Sequence, residues 1–298
     1  MISFRSFPLA LMMLTALAPT VHSQQGQRLS AEERARRQAE QERMLQEELG
    51  MARPVDALNS VWLEELTWIE IREAIAAGKT TVLVPTGGIE QNGPYVAMGK
   101  HNYILQTTCE MIARQLGDAL CAPIIKLVPE GNIDEPSGHM RYPGTISLRE
   151  ETFRAVLADV GSSLKAHGFR HIIYLGDSGG NQRGQAAVAE ELNEKWGASI
   201  AHHIPEFYDN DGLIAYMQNE LGITEPVDEG YHDYYWITAL MMVTDPEVVR
   251  YDQRVAAGKA TINGVSIAPK EETIEVGRKL HQWRVDQTVR AIRTARGG

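Results

Sequence analysis

From Val61 onward the apolar positions switch repeatedly between a two-sided run and a helical stripe. Residues 81–85 are apolar or β-branched at every position, the pattern of a strand covered on both faces of a parallel sheet rather than of a half-exposed hairpin. Runs at 122–128, 171–175 and 199–204 predict three more strands. Helical spacing predicts helices over 62–77, 103–116, 150–167, 182–196, 211–221, 234–243 and 271–295. Ser147 with Glu150 has the spacing of a capping box, and Gly168 stands where the helix from 150 should stop. Strands separated by helix-length crossovers predict one α/β domain over 51–298, with a mainly parallel sheet and helices on both faces.

The N-terminal fifty residues read differently. Residues 1–23 combine Arg5, a short apolar stretch and a small-residue pattern ending at Ser23, which predicts a secretory signal, a mature chain beginning near Gln24, and a periplasmic or secreted protein. Residues 24–50 are rich in Glu, Arg, Gln and Ala. Ser30 and Glu33 form a capping-box pair there, so a polar, solvated helix ending near Gly50 is expected.

Composition narrows the function. A net charge of −10 with acidic and basic residues interspersed offers no basic stripe to a phosphate backbone or an anionic membrane. Neither nucleic acid nor, after signal cleavage, a membrane is an expected partner. The two cysteines, Cys109 and Cys121, form no Cys-x-x-Cys motif, so a zinc knuckle is excluded.

Chemistry concentrates in four stretches. After the strand at 81–85, Gly87 and Gly88 release Glu90, Gln91, Asn92, Lys100, His101 and Asn102 at a strand's carboxyl end, where open parallel sheets bind ligands. Residues 131–148 form a long loop carrying His139, and loops of that length are commonly functional. Residues 176–181 read Gly-Asp-Ser-Gly-Gly-Asn at a strand-to-helix turn. That turn suits either backbone amides for an anion or a Gly-x-Ser-x-Gly nucleophile elbow at Ser178. Finally, Glu229, His232 and Asp233 precede an apolar helix, and clustered His and carboxylates are the usual ligands of borderline metals.

These stretches resemble the creatininase (creatinine amidohydrolase) family. Its pattern has Pro-x-Gly-x-x-Glu-Gln-His-Gly-Pro-His, then Gly-Thr-Asp, then Glu-His with Phe-Pro-Gly-Thr-Ile-Ser-Leu, then Asn-Gly-His-Gly-Gly-Asn and a later His-Ala-Gly-Glu. Here Pro85, Gly87, Glu90, Gln91, Gly93 and Pro94 match the first motif, His139 and residues 143–148 the third, Gly179, Gly180 and Asn181 the fourth, and His232 the last. The resemblance implies a creatininase-like fold, a small-molecule substrate, a homo-oligomer such as a hexamer, and a two-metal centre of zinc or manganese. The centre's ligands are altered. Asn92 stands at the first family His, His101 at the bridging Asp, Ser178 at the second His, and Tyr235 at the later Glu.

A carboxylate can bridge two cations, whereas a neutral imidazole offers one lone pair. The expectation is therefore a hydrolase of a small amide or related cyclic compound with one zinc or manganese ion held by Glu90, His101, Asp177 and His232. His232, Asp177, Glu229 and Ser178 are the candidate catalytic groups; Gln91, Asn92, Lys100, Asn102, His139 and Asn181 are the candidate substrate contacts. Two alternatives stay open: a serine hydrolase using Ser178 with His232 or His101 as base, and a metal-free binding protein on the same fold.

Overall fold

Thr81–Thr86 forms β1, buried at every position, as its uninterrupted apolar run requires of a central strand. In the computed structural model, which describes residues 29–297, β1 pairs in parallel with β2 (Ala119–Cys121) on one side and β3 (His171–Gly176) on the other. Parallel β4 (Ala201–His203) completes the order β2-β1-β3-β4. The predicted signal segment lies outside the described residues. Among those described, no helix is long and apolar enough to cross a membrane.

Helices α3 (Lys100–Leu116), α4 (Glu150–Ala166) and α5 (Gln182–Trp196) make the crossovers. The chain steps outward from β1 to β2, then returns past β1 to β3 and β4. Right-handed crossovers then place α3 on one face and α4 with α5 on the other. The order of the strands reverses between β1 and β3, so the carboxyl ends of these two strands flank the crevice where such sheets bind ligands. Beyond β4, α6 (Asn210–Leu221), α7 (Tyr235–Thr244) and α9 (Lys270–Ala295) gather a second apolar cluster that includes Leu213, Met217, Leu240 and Leu280. Helix α9 passes so close to α7 that a Cβ on Gly277 would strike the Ala239 carbonyl.

Several predicted boundaries move. Residues 122–128 contribute only single bridges, Thr86 to Ile125 and Val128 to Ser147. Pro123 has no N–H for a ladder, and the pairing falls instead on β2. The predicted helix over 62–77 is a 3₁₀ turn at Leu63–Glu65 followed by α2 (Trp68–Ala76), which begins at a Thr67–Glu70 capping box. Ser147 does not cap α4, whose N-cap is Arg149; its hydroxyl accepts from the Glu130 N–H and donates to the Gly131 carbonyl. The short α8 (Tyr251–Ala256) and the hairpin of β5 (Thr261–Ile262) and β6 (Val265–Ser266) were not expected. Cys109 and Cys121 are free, buried thiols with sulfurs 2.8 Å apart.

The first of two units ends at Ala52, and its helix α1 (Ala31–Leu49) carries the Ser30–Glu33 capping box with no buried residue.

His281 of α9 gives the second cluster a pH dependence. It is fully buried, its Nε2 lies 3.0 Å from the Leu240 carbonyl and its Nδ1 2.9 Å from the Thr108 hydroxyl. Burial holds its pKa down to about 4. The unfolded chain therefore binds a proton between pH 6.5 and 4 that the folded chain refuses, so this contribution is complete above pH 6.5 and is lost as pH falls toward 4. Urea unfolding should show about 3 kcal/mol of stability lost across that window through this residue. His281→Gln should flatten the pH profile; an unchanged profile would remove His281 as the cause.

Candidate active site

Beyond β1 the chain turns at Gly87 and Gly88 because no side chain fits. A Cβ on Gly87 would collide with Asn102, whose amide donates to the Gly88 carbonyl at 3.0 Å. The turn delivers Glu90, 2% exposed, to the floor of a cavity of about 590 Å³. The first turn of α3 brings Lys100 and His101 against it. Glu90 Oε1 accepts from Lys100 Nζ and His101 Nε2, both at 2.9 Å, while Oε2 faces His139 Nε2 at 3.1 Å. His232 Nδ1 stands 3.4 Å from Oε1 and 3.2 Å from the Gln91 carbonyl.

A second carboxylate continues the network inward. Asp177, at the end of β3, lies 2.8 Å from His101 Nδ1 through one oxygen and accepts from Arg284 at 2.8 Å through the other. Arg284 also donates to Asn210 at 2.8 Å. Carboxylates only accept, so His101, with a carboxylate at each nitrogen, is held as an imidazolium. Burial opposes that charge, yet the bonds to Asp177 and Glu90 win and raise its pKa. Burial likewise opposes ionisation of Glu90, but His101 and Lys100 hold it well below the usual carboxylate range. Lys100 is lowered by burial, against the pull of Glu90. His232 is pushed down to about 4 by burial and then by Lys100, so it is a neutral imidazole at physiological pH.

Glu130 completes the cluster. It is 5% exposed, its Oε1 has no hydrogen-bond donor among the described residues, and burial followed by the Glu90 charge pushes its pKa up to about 9. Sequence reasoning missed it, and also Arg284. A signal existed for each: Glu130 follows a predicted strand's carboxyl end, as Glu90 does, and Arg284 lies on the apolar face of α9, four residues from both Leu280 and Thr288.

The other candidates divide. Lys100, His101, His139, Asp177, Ser178 and His232 line the cavity with Glu90. Asn92, Asn102 and Asn181, expected to contact substrate, bond the backbone instead. Asn92 ties the Glu90 carbonyl to that of Ala97. Asn181 donates to the carbonyls of Thr86 and Gly87, stapling the end of β1 to the turn after β3. Gln91 accepts from the Gly93 N–H outside this cavity, and Glu229 is exposed on the loop before α7. Ser178 Oγ is 3.5 Å from Glu130 Oε2, and among the described residues no imidazole lies within hydrogen-bond distance of it.

Two groups of side chains bring ligand atoms within 4.8 Å of one another: Glu90, His139 and His232, and Glu90, His101 and Glu130. In the first, the His139 and His232 rings stack at 4.7 Å.

The family model for creatinine amidohydrolase matches residues 64–292. The chain belongs to the creatininase family. Creatinine amidohydrolase of Pseudomonas putida is 24% identical over 220 residues, covering 70% of this chain and 82% of that protein. A 3-dehydro-scyllo-inosose hydrolase of Thermotoga maritima is 26% identical over 119 residues, covering 40% of this chain and 36% of its own. A manganese form of creatininase superposes with a TM-score of 0.59 at 21% identity, covering 79% of this chain and 98% of that one. A Zn–Zn form of a creatininase mutant superposes with a TM-score of 0.57 at 22% identity, covering 80% and 98%. The creatininase-like α/β fold is thereby shown; of these two creatininase structures one is a manganese form and the other a Zn–Zn form. Among the described residues this chain has a candidate metal-binding group at Glu90.

Proposed function

We propose that this protein hydrolyses a C–N bond of a small amide or related cyclic compound, using one zinc or manganese ion held by Glu90, His139 and His232. The observation that carries this reading is the convergence of one carboxylate and two imidazoles at the cavity, a donor set that suits one borderline divalent ion. Such an ion, when bound, polarises a carbonyl and lowers the pKa of water. His101 is poor in this role because both its nitrogens are engaged by carboxylates, and Asp177 because both its oxygens hold cations. These two residues position Glu90 instead. Glu130 borders the same space and holds a proton, which suits it to protonate a departing nitrogen. Tyr208, Trp236 and Ile237 also line the cavity and give it apolar surface for a compact organic substrate.

One observation favours the metal-free reading: both oxygens of Glu90 already meet cationic or imidazole groups of the chain. Metal analysis after dialysis against zinc or manganese separates the two. One equivalent per chain, with amide hydrolysis abolished by a chelator and restored by the ion, supports the hydrolase. A protein that retains no ion and hydrolyses none of a panel of cyclic and linear amides is a binding protein. Ser178→Ala should keep hydrolysis within a few-fold of the parent, because Ser178 lacks an imidazole base; loss of activity in a folded variant would restore the serine mechanism.

A further inference from the structure

Glu90 belongs to both candidate ligand groups, so two metal ions here would have to share its carboxylate. A carboxylate that bridges two ions through its two oxygens needs a free lone pair on each. On Oε1 that place is taken, because Lys100 Nζ and His101 Nε2 converge on it at 2.9 Å each. We infer that the Lys100 ammonium is the second cation of this site, so that the chain takes one divalent ion and supplies the other positive charge from its own side chain.

The placement of Lys100 is otherwise unfavourable. It is the first residue of α3 and 1% exposed. A cation there sits at the positive end of the helix dipole and away from water. The Glu90 carboxylate, 2.9 Å from the ammonium, offsets that cost, and its charge is the one that would otherwise attract a metal ion. The ammonium also lies 3.3 Å from both nitrogens of His232. Equal distances put it alongside the ring rather than in line with one lone pair, so His232 keeps a lone pair for the single ion. An ammonium has three N–H donors. Glu90 occupies one, and a donor turned to the cavity suits a substrate oxygen on which negative charge grows during hydrolysis.

The inference rests on the one-ion reading above for the first ion only. The experiment is elemental analysis and calorimetric titration of the full chain with zinc and manganese, comparing the parent with Lys100→Met, Lys100→Gln and Lys100→Arg. The parent and Lys100→Arg should bind one equivalent. Either neutral variant should bind two, the second ion displacing the protons on His101 Nε2 and Glu130, with affinity at the second site raised roughly 100-fold or more by removal of a like charge a few ångströms away. Lys100→Gln keeps a polar group should Lys100→Met fold poorly, and near-ultraviolet circular dichroism reports folding. Two equivalents in the parent, or an unchanged isotherm in folded neutral variants, would overturn the inference. A parent that binds none and a neutral variant that gains one would uphold lysine as the substitute cation while removing the one-ion hydrolase reading.

Discussion

Glu90→Gln should weaken zinc or manganese binding, and any hydrolysis that depends on it, by about 10- to 100-fold. The substitution keeps the shape of the side chain and removes its charge, so packing around the cavity floor changes little. What changes is the partner of every cation in the cluster. Lys100 and His101 both converge on Glu90 Oε1, and without the carboxylate the buried Lys100 loses its nearest counter-charge. Breaking a buried pair from one side commonly costs about 3–5 kcal/mol, so chemical denaturation should show a stability loss alongside the binding loss. The combination is diagnostic. Binding weakened at unchanged stability would make Glu90 a ligand without a structural part in the cluster, and binding unchanged at reduced stability would take it out of the ligand set.

How much of this could be read from the chain depended on where the information lay. The central strand was legible because six consecutive buried positions leave an uninterrupted apolar run, and Ser30 with Glu33 was legible because a capping box is local. The family resemblance identified the loop containing Glu90, and the helix after it pointed to His101. What the spacing does not encode is direction. Asn102 and Asn181 occupy positions as promising as those of Lys100 and Asp177, but they turn onto backbone carbonyls and hold the turns together. His139 was read as a substrate contact and stands against Glu90, since the loop of residues 131–148 folds back over the strand ends. Arg284 lies 107 residues beyond Asp177, and no local pattern reports a pairing at that separation.

Arg284→Met should destabilise the domain by about 3–5 kcal/mol, seen as a fall in Tm of roughly 10 °C. Arg284 is 1% exposed, its guanidinium pairs with Asp177 and Asn210, and it lies over the rings of Phe207 and Trp236 at 5.4 and 5.8 Å. Methionine of similar length fills the space but leaves Asp177 buried with His101 as its remaining charged partner. That carboxylate then draws more strongly on His101, whose other nitrogen serves Glu90, so the loss should reach the metal site as weaker binding. Asp177→Asn tests the route. If the cost of Arg284→Met is the stranded carboxylate, the double variant should be less destabilised than the sum of the single ones, because it removes both charges together. Additive losses would mean that Arg284 acts through its packing on Phe207 and Trp236 alone, and a destabilisation below 1 kcal/mol would remove the buried pair from the account of this fold.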